Sequence, residues 1–436
     1  MKHLVFTLLF LSWGSSTFCQ SDSTYTLPYL QKSTKFASFI LGGDLFLLGG
    51  GESNYLDNNQ LTTTSFAPTL LPRLTIGGLH FCGHANFYVT FPLGFLAVGS
   101  TPSVFSELRY RQSVETGARI YPFALKPSSF RPYAGISFRP MYYRHEQKES
   151  NFSNGGPFFA KVITPVEFGF TYASGKYLFS ASGYYQFTDR FDYYLAPGTL
   201  GRVELEPLTF NFGIYRYMDT DRHMRTKKAA RNLNLQHEVL EKADRLSTWY
   251  WGLGPSAALQ MSKSDFLMAF APHLYDDYVV RFTPDITFGR YFHKPDMNIG
   301  LAYRRLGGTS SGFDDEVRMD RNSIMLESYK NLFNWLGFVP FVGATASLEA
   351  LRLEFNGKSY EEVKPTWGII AGWDIRVTQT EVSLLRTNLR WTPGLHLEAE
   401  GEKVMFDQIE FNFIQYVRFI GRKKAYQEAR KQRQSR

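Results

Sequence analysis

Glu107-Leu-Arg-Tyr-Arg-Gln-Ser-Val-Glu-Thr-Gly-Ala-Arg-Ile-Tyr121 decides the fold class. Its odd positions read Glu107, Arg109, Arg111, Ser113, Glu115, Gly117 and Arg119, and its even positions read Leu108, Tyr110, Gln112, Val114, Thr116, Ala118 and Ile120. Period two is the signature of a β-strand. The same division recurs downstream. Charges share one face at Arg131 and Arg139, at Lys161 and Glu167, at Arg281 and Asp285, and at Arg386 and Arg390. The opposite faces carry Phe, Leu, Ile, Val or Tyr. These segments run over roughly 11 to 17 residues, longer than most soluble strands and long enough for a tilted membrane crossing. Apolar-out and polar-in is the pattern of a transmembrane barrel, whose closed ladder leaves no backbone group unpaired in lipid.

Composition agrees. Of the 436 residues, 17% are aromatic and only 20% charged, with 36 Gly and 20 Pro to make turns. So many rings must be buried or face a non-aqueous medium, which excludes intrinsic disorder. A polytopic helical membrane protein is excluded by the lack of apolar spans. The one long uncharged window, 85–106, holds Pro92, Pro102, Gly94 and Gly99 and alternates as Phe87, Val89, Phe91.

The first residues read as a secretory signal peptide, 1–19, with a basic Met1-Lys2-His3 start, an apolar Leu4 to Trp13 and cleavage after Cys19. Cys82 is then the one cysteine left, so no intramolecular disulfide forms. A periplasmic lead-in follows at 20–35, a first eight-strand repeat at 36–218, a charged and partly helical linker at 219–248, a second repeat at 249–420 and a basic tail at 421–436. The repeat emerges when the chain is laid on itself at a shift of roughly 200–212 residues. Pro72-Arg-Leu-Thr-Ile-Gly77 answers Pro284-Asp-Ile-Thr-Phe-Gly289, and Phe210-Asn-Phe-Gly-Ile-Tyr215 answers Phe411-Asn-Phe-Ile-Gln-Tyr416.

Glu115-Thr-Gly-Ala-Arg-Ile-Tyr-Pro-Phe123, followed by Phe130-Arg-Pro-Tyr-Ala-Gly-Ile136, resembles the central hairpin of eight-stranded, OmpA-like outer-membrane barrels. The last strand, with Phe411, Phe413, Val417 and Phe419, is similar to the aromatic assembly signal that closes such proteins, although here a tail follows it. The resemblance implies an all-β antiparallel barrel in the outer membrane of a didermic bacterium, with both termini periplasmic. A duplicated unit closes either as one barrel of about sixteen strands or as two tandem eight-stranded barrels. Single barrels dominate known architectures and favour the first; the long linker favours the second.

The function that follows is a porin-like passive channel with a charged lumen. Its lining candidates are Arg109, Arg111, Glu115, Arg119, Arg131, Arg139, Glu167, Arg281, Asp285, Arg304, Arg321, Glu327, Arg386 and Arg390. The alternative is a structural, envelope-tethering barrel whose interior charges pair and plug it. An outer-membrane enzyme comes third. His273-Leu-Tyr-Asp276-Asp277 loosely resembles the Asp/His pairs with which outer-membrane proteases activate water, but a polar loop with these residues is commonplace. His80-Phe-Cys82-Gly-His84 has metal-ligand residue types, but the answering positions Phe292, Lys294 and Asp296 do not repeat them. No catalytic residue, metal or cofactor is therefore assigned. The tail carries net +6 and residues 219–231 net +3, so the basic balance lies outside the strands. Expected partners are outer-membrane lipids, the barrel-assembly machinery and envelope components met through the tail, not nucleic acid.

Overall fold

Alternating strands with one apolar face need a closed ladder, and the chain makes two. The computed structural model describes residues 38–434 apart from 127, 148–156, 219–226, 261, 263, 275–280, 336 and 377–381. The signal-peptide and lead-in expectations lie outside the described residues.

The first ring is β1 (Ser38–Leu48), β2 (Thr69–His80), β3 (Ala85–Pro92), β4 (Glu115–Ile120), β5 (Ser129–Gln147), β6 (Val166–Ser174), β7 (Tyr177–Tyr185) and β8 (Leu208–Met218). Each strand pairs antiparallel with its neighbour, and β8 returns to β1 from Phe39 opposite Met218 to Leu47 opposite Phe210. The second ring is β9 (Thr248–Gln260), β10 (Arg281–Phe292), β11 (Met297–Gly312), β12 (Asp315–Asn331), β13 (Phe338–Phe355), β14 (Lys358–Ile375), β15 (Ser383–Trp391) and β16 (Gln408–Phe419). It closes between β9 and β16. The all-β reading with sixteen wall strands stands. Of its two closures, the structure takes two barrels of eight rather than one of sixteen. Local periodicity is the same in either, and the linker gives the chain room to end one ladder and start another.

Outward positions are apolar and exposed, as a lipid-facing wall requires: Leu45, Phe168, Phe170, Phe212 and Ile214 on the first ring, and Leu253, Phe288, Leu301, Ile324 and Leu348 on the second. The rings touch through Val89 and Phe91 of β3 against Ala257, Phe411 and Phe413, with Phe87 5.9 Å from Trp373.

The two ends of each barrel differ. At one end, the turn end, connections are tight. At the other, the loop end, extra structure covers the mouth. Over the first barrel lie the hairpins Gly51–Asp57/Gln60–Phe66 and Arg190–Ala196/Thr199–Leu205, with Phe105–Gln112 and Phe158–Ile163 paired to the outer half of β5. Their core includes Phe46, Phe66, Tyr143, Phe159, Phe191 and Tyr193. Over the second lie a short helix, α2 (Asp265–Phe270), and the hairpin His396–Ala399/Glu402–Met405, packed through Phe266, Leu267, Leu353, Leu397 and Phe406. Not every loop-end connection is long: β13 and β14 reach 18 residues each and meet at Asn356-Gly357, both at positive φ, as a type I′ hairpin turn prefers.

The linker supplies helix α1 (Lys227–Lys242), and the tail supplies α3 (Arg422–Gln434). Leu240 and Leu246 pack on Ala425, Tyr426 and Ala429, so linker and tail form one helical pair at the turn end of the second barrel.

Candidate functional site

Inward positions of both rings hold charges, and a charge removed from water must find a partner. In the first barrel Asp44, Arg73, Glu115 and Arg139 form a chain. Arg73 Nε lies 2.5 Å from Asp44, its Nη1 lies 2.8 Å from Glu115, and Arg139 Nε reaches the same Glu115 at 3.2 Å. Thr75 and Gln112 donate to Asp44 and Glu115 at 2.6 Å each. A separate pair, Arg119 and Glu167 at 2.8 Å, is enclosed by phenols: Tyr88 and Tyr133 donate to Glu167 at 2.9 and 3.1 Å. The Arg119 guanidinium sits 4.4 Å over the Tyr88 ring, a cation–π contact. Gly117 makes this possible, since a Cβ there would lie 2.4 Å from Tyr88 Oη.

The second barrel carries a longer chain. Glu349 pairs with Arg321 at 2.9 Å, and Arg321 with Glu410 at 3.2 Å. Glu410 also pairs with Arg304, which holds Glu327 at 3.2 Å. Glu327 and Asp285 both take Arg390 at 2.6 Å. Asn412 donates to Asp285 at 2.7 Å. Arg386 and Asp374 stand apart at 2.7 Å, with Tyr250, Tyr329 and Phe341 around the guanidinium. Many of these pairs join strands that are not neighbours in the ladder, such as β10 with β15 and β11 with β16, so they meet across the interior.

The structure brings ten of the fourteen lining candidates into these interiors: Glu115, Arg119, Arg139 and Glu167 in the first, and Asp285, Arg304, Arg321, Glu327, Arg386 and Arg390 in the second. Arg109 and Arg111 are a correction. They are exposed on Phe105–Gln112, which belongs to the loop-end sheet and not to the ring, and Arg109 pairs with Glu107. The alternation slips by one residue at Ser113-Val114, so Tyr110 and Gln112 are buried before it and Glu115 and Arg119 after it. Arg131 is half-buried at the turn end, donating to the Ala124 carbonyl at 3.2 Å. Arg281 lies on β10, and its side chain is outside the described residues.

Asp44, Arg73, Glu349, Asp374 and Glu410 were missed. Asp44 and Arg73 are single charges in strongly apolar strands, as in Leu41-Gly-Gly-Asp-Leu-Phe46, and that isolation is the signal that marks them; Glu349, Asp374 and Glu410 share their strands with other charges and carry no such mark.

The other candidates do not converge. His80 packs edge-on to Phe87 at 5.2 Å, whereas His84 Nδ1 lies 3.1 Å from the Tyr121 carbonyl; the Cys82 side chain is outside the described residues. His273 is buried 2.8 Å from Asp315, and Asp276 and Asp277 are outside the described residues. In the loop-end cap of the first barrel, Tyr143 donates to Ser53 at 2.6 Å and Tyr193 Oη lies 3.1 Å from His145 Nε2. Burial there pushes the His145 imidazole down to about 3.

No protein-family model and no curated protein matches the chain. Among solved structures it is similar to Neisserial surface protein A, at 15% identity over 40% of this chain and 97% of that one, with a TM-score of 0.30. It is also similar to Ail, the attachment invasion locus protein of Yersinia pestis (7% identity, 40% of this chain, 97% of that one, TM-score 0.27). A third is an outer membrane channel from Pseudomonas putida F1, with 10% identity, 88% of this chain, 96% of that one and a TM-score of 0.23. The closed antiparallel ladders, the apolar exterior and the ion-paired interior give this chain two eight-stranded antiparallel β-barrels in sequence, built on the transmembrane-barrel plan of apolar outside and polar inside.

Proposed function

We propose that the protein is a non-conducting pair of outer-membrane barrels with a structural, envelope-tethering role. The observation that carries this reading is the pairing inside both rings. Arg73, Arg119, Arg139, Arg304, Arg321, Arg386 and Arg390 are all buried, and each has a carboxylate partner. Hydrated charges along an aqueous channel need no such pairing, and an eight-stranded ring encloses only the space that side chains fill. The aromatic and aliphatic caps at the loop ends support the same reading. A porin-like lumen with a preference for anions draws less support, because its arginines are neutralised. No enzymatic step is assigned.

In this reading residues 1–19 direct export, an eight-strand unit was duplicated, and both termini face the periplasm. The α1–α3 pair then meets anionic lipid headgroups or another envelope component, and the barrel-assembly machinery inserts the chain. Proteoliposomes test the closed interior: they should swell in a small sugar no faster than protein-free vesicles, and rapid swelling would favour the channel. Mild protease on intact cells tests the orientation, since it should spare Lys227 and the tail and cut first near Asp314.

A further inference from the structure

Helix α1 carries His237 and Glu241 one turn apart, hence on one face. The tight connection from β10 to β11 brings His293 to that face, with its Nε2 3.8 Å from Glu241 Oε1. One ring nitrogen of each histidine and one carboxylate oxygen of Glu241 all lie within 4.8 Å of one another. His237 is buried, His293 half-buried and Glu241 exposed.

The outer faces of both imidazoles meet phenols. His237 Nδ1 lies 2.9 Å from Tyr426 Oη of α3. His293 Nδ1 lies 3.5 Å from Tyr291 Oη, which itself donates to Asp296 at 2.8 Å. With the proton on Nδ1 in each ring, the phenol oxygens accept it, and each Nε2 keeps its lone pair, that of His293 lying 3.8 Å from Glu241 Oε1. Hydrogen bonds of this kind fix the tautomer and orientation of metal-ligating histidines. His293 is held again through its backbone N–H, which donates to Ser247 Oγ at 3.1 Å.

We propose that His237, Glu241 and His293 bind one zinc-class divalent cation. Two imidazoles and a carboxylate select a borderline cation such as Zn²⁺ over Mg²⁺ or Ca²⁺, which take oxygen ligands. Ligand bonds of about 2.0–2.2 Å require the three donor atoms to draw together, and Glu241, on the exposed side, has the freedom to do so. The fourth position is left to water. The ligands belong to the linker and to a turn of the second barrel, and Tyr426 belongs to the tail. The bound ion therefore fastens the helical pair to the barrel. In sequence, only the His237-to-Glu241 spacing hints at this site, because His293 lies on another element.

The test uses the full mature chain in detergent, stripped of metal, with Zn²⁺ alone as the probe in competition with a chromophoric chelator. One equivalent should bind per chain. His237→Ala, His293→Ala and Glu241→Gln should each weaken it at least about tenfold, while His84→Ala and His396→Ala leave it unchanged. Glu241→Gln alters an exposed side chain, and heat-dependent gel mobility of every variant checks that its barrels are closed. Co²⁺ should give visible ligand-field bands in the wild type that the same three variants lose. Zn²⁺ should also slow tryptic cleavage of the tail in wild type only. Binding no tighter in the wild type than in the His237→Ala/His293→Ala double variant would overturn the proposal, as would equal weakening by His396→Ala.

Discussion

The two barrels share strand number and closure, yet they neutralise their interiors by different means. Arg73 and Asp285 answer each other in the sequence alignment and sit on the second strand of their respective rings, but they carry opposite charges. Arg73 gathers Asp44 and Glu115 around it; Asp285 gathers Arg390 and Asn412. The first interior sets three arginines against three carboxylates and fills space with phenols. The second sets four against five, linked mostly into one alternating chain. What the fold requires is an oppositely charged partner for each buried charge in a closed volume, met by whatever set of side chains fits. A buried pair need not be more stabilising than a good apolar core, but breaking one leaves a stranded charge, and that costs far more.

The largest expected effect comes from giving one barrel the other's residue. Arg73→Asp places a third carboxylate beside Asp44 and Glu115 and should destabilise the first barrel by more than the roughly 3–5 kcal/mol of simple partner loss. Urea unfolding of refolded protein in lipid vesicles measures this, and tolerance of the exchange would break the comparison. Next is Glu410→Ala, which takes the carboxylate shared by Arg304 and Arg321, leaves each with one partner (Glu327 and Glu349), and should cost about 3–5 kcal/mol. Tyr88→Phe removes a phenol that donates to Glu167 and should cost about 2 kcal/mol, felt in the first barrel alone.

The cap of the first barrel adds a pH dependence. His145 is held neutral down to about 3, whereas an unfolded histidine protonates near 6.5. Its contribution is therefore intact above about pH 6.5 and is lost progressively as pH falls toward 3, with opening of the cap growing by up to about tenfold per pH unit. Hydrogen exchange of the 139–147 backbone reads this, and His145→Gln should flatten the trend over that window. The smallest effect belongs to Arg109→Ala. An exposed pair with Glu107 contributes little, so stability should stay within about 0.5 kcal/mol of wild type.

Much of this was legible before any coordinates. Period two places Asp285, Arg304, Arg386 and Arg390 on one face because a strand has only two faces and one of them must be apolar. Two things escape that logic. A slip of one residue, as at Ser113-Val114, turns every later side chain over, and local pattern carries no mark of it; Arg109 and Arg111 were misplaced for that reason. Closure is also invisible locally, since ladders of eight and sixteen repeat the same alternation, and only the 219–248 linker differs. The loop-end caps and the His237, Glu241 and His293 group depend on long-range contacts that spacing does not encode.

Planar-bilayer recording of the purified full chain tests the closed-interior account most directly. Repeated insertions should leave the membrane without steps of a large open channel, in the wild type and in Arg109→Ala alike. Reproducible open-channel steps that follow protein insertion would contradict it, because ion-paired interiors of eight strands leave no such path.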